Sequence, residues 1–175
     1  MKRNNLGIWF CIIVLMLVSL ISCQSVYTTH QDPSIPWQQH ALLYLAGSYR
    51  GGASIHGVDT LTKHYLIVQG NSVVIIPPGT HTVYVHLWNG QYGTTYETRV
   101  AIPITFDFQP GGRYVLSGEI GRGYGPAAKI QTVEEYRLVH AGLYPNDTPE
   151  QNEKTFNSRI LDNFKKAEVK LSEKK

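Results

Sequence analysis

The stretch that decides the fold covers residues 74–88 and reads VIIPPGTHTVYVHLW. Its Pro-Pro-Gly segment, residues 77–79, predicts a turn, because proline fixes φ and glycine readily adopts a positive φ. The residues that follow the turn are strand formers, and successive side chains of a strand point to opposite faces. We therefore predict a strand over residues 80–88 that runs directly out of a tight turn.

This strand has one mainly apolar face and one mainly aromatic face. The apolar face comprises His81, Val83, Val85 and Leu87, and the other comprises Thr82, Tyr84, His86 and Trp88. We expect the first face to point into the core and the second to point outward. The two histidines then face opposite sides of the sheet and cannot form one metal site within the strand. For His81 we expect a structural hydrogen bond to the preceding turn.

Similar short segments recur on both sides of this strand, and they predict a mainly β fold, an antiparallel β-sandwich with a C-terminal α-helix. Further strands are predicted at residues 40–46, 64–68, 73–76, 96–108, 113–120 and 129–133, with an extension over 136–139 also considered. Residues 48–57, 89–93 and 121–125 are rich in glycine and predict loops or turns. Pro103 predicts an edge or a bulge in its strand, because proline cannot donate to the ladder.

The last part of the chain predicts a charged helix from about Pro149 to Lys170. Thr148 is a suitable N-cap, and proline is favoured at the first helical position. Phe156, Ile160 and Phe164 recur every four residues and form a narrow apolar stripe. This stripe is expected to lie on the sandwich or on a partner, and its three residues are the candidates for partner binding.

The N-terminus predicts secretion. A basic segment precedes the apolar run over residues 6–20, which is shorter than the roughly 20 residues of a stable membrane span. The run ends in Leu20-Ile21-Ser22-Cys23, which resembles the lipobox of bacterial lipoproteins. The resemblance implies cleavage before Cys23 and acylation of Cys23. The alternative is an uncleaved N-terminal anchor, and either way the remaining chain leaves the cytoplasm.

These signals divide the chain into four parts. Residues 1–22 are the predicted signal peptide, 23–39 a polar tether, 40–145 the sandwich domain, and 146–175 the charged helix and tail. The predicted location is the bacterial cell envelope. Because Gln24 rather than aspartate follows the lipobox cysteine, the outer membrane is favoured over the inner membrane.

The predicted mature chain is nearly neutral and has a single cysteine. Loss of Lys2 and Arg3 lowers the formal charge from +3 to +1. A nucleic-acid partner is not expected, since it would require a clustered basic surface. Cys11 is removed with the signal peptide, so Cys23 has no intramolecular partner for a disulfide. The core alone must stabilise the fold.

Two segments resemble known bacterial surface domains. IPPGTHTVYVHL, residues 76–87, is similar to the Pro-Gly-x-His-x-Val-x-Val strand of PEGA-type domains. TFDFQPGGRYVLSGEIG, residues 105–121, resembles a turn and strand of small lipoprotein domains of unassigned function. The resemblance covers residues 42–133 and rests on structural turns, so it transfers no catalytic residues. It implies a β-sandwich that serves as an extracytoplasmic interaction module.

Three functions are compatible with the sequence. The leading hypothesis is a non-enzymatic interaction module that binds an envelope protein partner. The alternative is a lipoprotein that binds glycan or peptidoglycan through an aromatic surface, for which the candidates are Tyr84, His86, Trp88, Tyr92 and Tyr96. The third is an atypical enzyme with Glu97 or Glu119 in its site. The sequence has no zinc-protease pair, nucleophile elbow or phosphate loop, so neither an enzyme, a metal site nor a cofactor is predicted.

Overall fold

The computed structural model describes residues 26–28, 34–48, 51–60, 72–91, 94–121, 124–143 and 146–173. These residues form two five-stranded β-sheets and a layer of helices. The sandwich and the C-terminal helix predicted from the sequence are confirmed. The predicted strand over residues 64–68 lies outside the described residues.

The strands are β1 Val26–Thr28, β2 Ala41–Leu45, β3 Gly47–Ser48, β4 Gly51–Val58, β5 Val73–Ile76, β6 Gly79–Gln91, β7 Thr94–Glu97, β8 Ile102–Phe108, β9 Arg113–Gly121 and β10 Tyr124–Thr132. The helices are α1 Val133–Leu143, α2 Pro149–Phe156 and α3 Asp162–Ser172, with a π-helical segment Asn157–Leu161 between the last two. A 3-10 turn, Trp37–Gln39, precedes β2.

The first sheet has the strand order β1-β5-β2-β9-β10, and the second has β3-β4-β6-β7. Strand β6 is the long central strand of the second sheet. One edge of β6 pairs with β4, while its other edge pairs first with β8 and then with β7. Most pairs are antiparallel, and the pairs β1–β5 and β2–β9 are parallel.

The main core lies between the two sheets. As the alternation predicts, Val83, Val85 and Leu87 of β6 are fully buried there. They pack with inward residues of both sheets, among them Ala41, Leu43, Leu45, Ala53, Ile55, Val74, Ile76, Phe108, Tyr114, Leu116 and Ile130. Burial of these apolar surfaces is the main stabilising term of the sandwich.

A second core joins the helices to the outer face of the first sheet. Leu42, Tyr44, Val73, Ile75 and Val115 of the sheet pack against Val133, Tyr136, Phe156, Ile160, Phe164, Ala167 and Leu171 of the helical layer. The predicted apolar stripe therefore lies on the sandwich. Phe156, Ile160 and Phe164 are buried in the protein's own core, which corrects their assignment as partner-binding residues.

The π-helical segment keeps this stripe on one face. A repeat of four residues on an α-helix of 3.6 residues per turn advances by about 40° at each step. The wider turn of the segment Asn157–Leu161 offsets this drift between Phe156 and Phe164.

At the N-terminal end of α2, Thr148 and Gln151 form the capping box that starts the helix, as the predicted cap at Thr148 requires.

Several segments differ from the sequence-based prediction. The predicted strand over residues 96–108 is divided into β7 and β8, and β6 continues through residues 89–91, where a loop or turn was predicted. Strand β4 replaces the predicted loop over residues 48–57, because Ala53 and Ile55 alternate with small or polar residues and fill the core. Helix α1 lies where an extension of the last strand over residues 136–139 was considered. The Glu135 carboxylate accepts from Thr132 N at 2.8 Å, and Thr132 Oγ1 accepts from Glu135 N at 3.3 Å, which forms a capping box where the strand ends.

The predicted tether is also partly structured. Strand β1, within the segment 23–39, pairs in parallel with β5, and Val26 is opposite Val73. The turn Trp37–Gln39 then leads into β2. Only part of this segment is therefore available as a spacer between Cys23 and the sandwich.

Candidate functional site

The outward face of β6 forms the candidate site. Tyr84, His86 and Trp88 point away from the core and are half-buried. On one side the register places Ser54 opposite His86 and Gly52 opposite Trp88. On the other side Glu97 is opposite Trp88 and Pro103 is opposite Tyr84. We call Tyr84, His86 and Trp88, with His56 of β4, the aromatic face.

His56 joins this face because β4 is irregular there. The register shifts between Ile55 and Gly57, so His56 is the extra residue of a bulge, a feature that redirects a side chain. Its ring stacks on that of His86 with centroids 3.9 Å apart and planes 29° from parallel. This contact could not be predicted from either segment alone, because the bulge depends on the pairing of two strands.

Thr98 holds His86 and the adjacent backbone in place. The Thr98 carbonyl oxygen lies 3.0 Å from His86 Nδ1 and can only accept, so this nitrogen carries the proton. The Thr98 hydroxyl accepts from Leu87 N at 3.1 Å, and Thr98 N donates to the Leu87 carbonyl at 3.0 Å. These bonds orient the His86 ring and make the middle of the aromatic face rigid.

The surroundings of His56 change its pKa. Burial lowers the pKa of His56 below its ordinary value of 6.5, and the nearby His86 lowers it further. The Glu97 carboxylate acts in the opposite direction and raises this pKa. Because burial disfavours the charged imidazolium, the position of His56 favours its neutral ring.

Trp88 covers a glycine of the neighbouring strand. A Cβ added to Gly52 would lie 3.5 Å from Trp88 Nε1, so the indole packs directly over the Gly52 backbone. Trp88 Nε1 is buried and has no hydrogen-bond partner among the described residues. A side chain at this glycine would compete with the indole, which explains why a glycine is tolerated within strand β4.

The other two predicted aromatic candidates are Tyr92 and Tyr96. Tyr92 lies outside the described residues. Tyr96 is opposite Asn89 in the register of β6 and β7, whereas Glu97 is opposite Trp88. Directly opposed residues share a face of the sheet, so Tyr96 belongs to the register row of Asn89 and not to that of Trp88.

The first histidine of the opening stretch, His81, has a structural role. His81 Nδ1 lies 2.6 Å from a carboxylate oxygen of Asp59, and the other oxygen accepts from Thr82 N at 2.9 Å. Asp59 follows β4 and has a positive φ of 59°. The expected hydrogen bond of His81 is therefore made to the end of β4 and not to the turn over residues 77–79.

A second polar cluster lies in the helical layer. The Arg137 guanidinium contacts Glu153 at 2.6 Å and lies 4.7 Å from the centre of the Phe156 ring. His140 packs edge-on against the same ring, with centroids 5.4 Å apart. Burial lowers the pKa of His140, the positive charge of Arg159 lowers it further, and Asp147 opposes them. The contacts of this cluster stabilise the packing of α1 against α2.

The two carboxylates considered for an enzyme, Glu97 and Glu119, lie on β7 and β9. Glu97 is exposed, and nothing is described of the Glu119 side chain. Among the described residues, no three histidine, cysteine, aspartate or glutamate side chains are placed to bind a metal ion. No helix in the described part of the chain is long and apolar enough to cross a membrane.

No family model, curated protein or solved structure matches this chain. The resemblance to PEGA-type domains therefore stays a prediction from the quoted motifs. The functional argument depends on the chain's own residues.

Proposed function

We propose that this protein is a lipid-anchored, extracytoplasmic interaction module that binds an envelope protein partner through the aromatic face. One observation carries the binding part of this proposal. Tyr84 and Trp88 are large aromatic side chains, yet they belong to neither hydrophobic core. The fold does not need them for its cores, so a surface function accounts for their presence.

The build of this face favours a protein partner. Tyrosine and tryptophan are enriched among the residues that contribute most of the binding energy of protein interfaces. Side chains that are already rigid lose little conformational entropy on binding. His86 is fixed by Thr98 and stacked on His56, so it is ordered before a partner arrives. The exposed carboxylate of Glu97 opposite Trp88 adds a charge at the rim.

A glycan is the second candidate ligand. Trp88 Nε1 has no partner among the described residues, and the Glu97 carboxylate is exposed on the neighbouring strand. A donor and an acceptor beside an aromatic ring suit the hydroxyls and apolar faces of a sugar. The buried state of this nitrogen requires the indole to shift before it can donate.

Co-purification from the native cells tests the proposal. The full-length protein is solubilised in detergent, and retained material is analysed by protein and glycan mass spectrometry. We expect a stoichiometric protein partner that is lost with Trp88→Ala and with Tyr84→Ala. Leu138→Ala is the control, because Leu138 is 79% exposed on α1 and far from the aromatic face in the layer order.

The outcomes separate the candidates. A partner lost only with the two aromatic variants supports the proposal. Retained cell-wall fragments that are lost with the same variants support glycan binding instead. A protein partner that both aromatic variants still retain excludes the aromatic face as its binding surface. Denaturant midpoints of each variant establish that the loss is not due to unfolding.

A further inference from the structure

The distance between the predicted anchor and the sandwich is short. Strand β1 begins at Val26, three residues after Cys23. A chain spans at most about 3.3–3.6 Å per residue, so Cys23 lies within about 10 Å of Val26. Val26 is paired with Val73 and is thereby fixed to the edge of the first sheet. An acylated Cys23 would hold this edge close to the lipid surface.

The strand directions identify the end of the sandwich from which β1 starts. Val26, Val73, Tyr44 and Val115 lie at one level across the first sheet. Because β9 runs parallel to β2 and antiparallel to β5, its C-terminal half extends towards the end at which β1 begins. Strands β9 and β10 continue there as a hairpin.

The second sheet reaches the same end. Asn89 Nδ2 donates to the Ile120 carbonyl at 2.8 Å, which ties the end of β6 to the β9–β10 hairpin. Gln91 pairs with Thr94, so β6 and β7 form a second hairpin there. We call this end of the sandwich, with the described ends of β6, β7, β9 and β10, the hairpin end.

The hairpin end extends further from the level of Val26 than Cys23 can reach. Gly121 is six residues beyond Val115 on β9, which is about 20 Å at a rise of about 3.3 Å per residue. Cys23 can be only about 10 Å from Val26, which lies at the level of Val115. A bilayer that holds Cys23 therefore lies within reach of the hairpin end.

The charge of this surface is compatible with lipid. The described residues nearest the two hairpin tips, 89–91, 94–95, 120–121 and 124–126, include neither an acidic nor a basic residue, and Glu119 follows one step further from the tip, opposite Ala127. Acidic residues would be repelled by anionic lipid head groups. We propose that the hairpin end rests on the lipid surface, so that the molecule stands on the membrane without a spacer. This inference rests on the lipidation of Cys23.

The proposal leaves the opposite end of the sandwich facing away from the membrane. Thr80 lies at that end, where Gly79 pairs with Phe108. Gly90 and Thr80 are ten residues apart on the same strand, which is about 30 Å along β6. A single strand thus provides one labelling position close to the proposed membrane surface and one position far from it.

Fluorescence quenching on vesicles tests the orientation. Gly90→Cys and Thr80→Cys each introduce one free thiol, since acylation of Cys23 blocks its own. A Cβ at Gly90 would meet nothing within 4 Å, and Thr80 is exposed, so both variants fit the fold. The lipidated full-length variants are labelled with a fluorophore and reconstituted into phosphatidylethanolamine–phosphatidylglycerol vesicles that carry a head-group quencher.

The expected result is quenching that is several-fold stronger for the label at position 90 than for the label at position 80. Equal quenching, or stronger quenching at position 80, on vesicles that do bind the protein would overturn the proposed orientation alone. Vesicle flotation separates this from failure of the anchor. If the unsubstituted protein does not float, the lipid anchor itself is refuted and the orientation falls with it.

Discussion

Truncation of Phe164 tests whether the helical layer is part of the fold. Phe164 is 0% exposed and packs against the sheet, with its ring 6.2 Å from that of Tyr44 in an edge-on arrangement. Phe164→Ala removes a buried ring and leaves a cavity, which typically costs about 3–5 kcal/mol. Total stabilities of domains are about 5–15 kcal/mol, so the variant should lose a large fraction of its free energy of unfolding.

Urea unfolding of the mature chain, followed by circular dichroism, measures this cost. With a slope of about 2 kcal/mol per M, a loss of about 4 kcal/mol lowers the midpoint by about 2 M. Val169→Ala is the matched control, because Val169 lies on the same helix but is 54% exposed. The control should change stability by less than about 0.5 kcal/mol. If Phe164→Ala costs no more than the control, the helix does not pack on the sheet as described.

Two further predictions concern the helical layer and the sandwich core. Burial lowers the pKa of His140, so below pH 6.5 the unfolded chain takes up a proton more readily than the folded chain. The free energy of unfolding therefore decreases as the pH is lowered. His140→Gln should flatten the dependence of the urea midpoint on pH between 7 and 5; an unchanged slope would contradict the shift. Gly118→Ala should destabilise the protein by about 1–3 kcal/mol, because the new Cβ would collide with Leu87 Cδ2. Gly90→Ala, which meets nothing within 4 Å, should be close to neutral in the same unfolding assay.

The alternation of β6 was the most reliable signal in the sequence. A period of two along residues 80–88 separated the core residues Val83, Val85 and Leu87 from the outward Tyr84 and Trp88. This worked because one face of a sheet is buried and the register fixes which residues belong to it. The cap at Thr148 was equally clear, since it depends only on neighbouring residues.

The segments that were predicted wrongly depend on contacts distant in the sequence. The glycines of β4 suggested a loop, but Trp88 packs over Gly52 from the next strand. The stack of His56 on His86 requires the bulge in β4 and could not be read from either segment alone. Helix α1 is the exception, because the Thr132–Glu135 capping box was present in the sequence and marked its start.

The N-terminal segment shows a further limit of composition. Its polar residues and prolines are typical of a tether, yet Val26–Thr28 pairs with an edge of the first sheet. Three residues are too few to show strand periodicity, so only the edge of β5 supplies the information. The consequence is functional, since a paired β1 shortens the distance between a lipid at Cys23 and the sandwich.

Intact-mass analysis of the protein extracted from its native membrane, followed by sequencing of its N-terminal peptide, tests the central claim most directly. The account predicts a chain that begins at Cys23 and carries acyl chains on this residue, while Cys23→Ala yields no acylated form. A mature chain that retains residues 1–22, or that begins elsewhere without acylation, would contradict the lipid anchor.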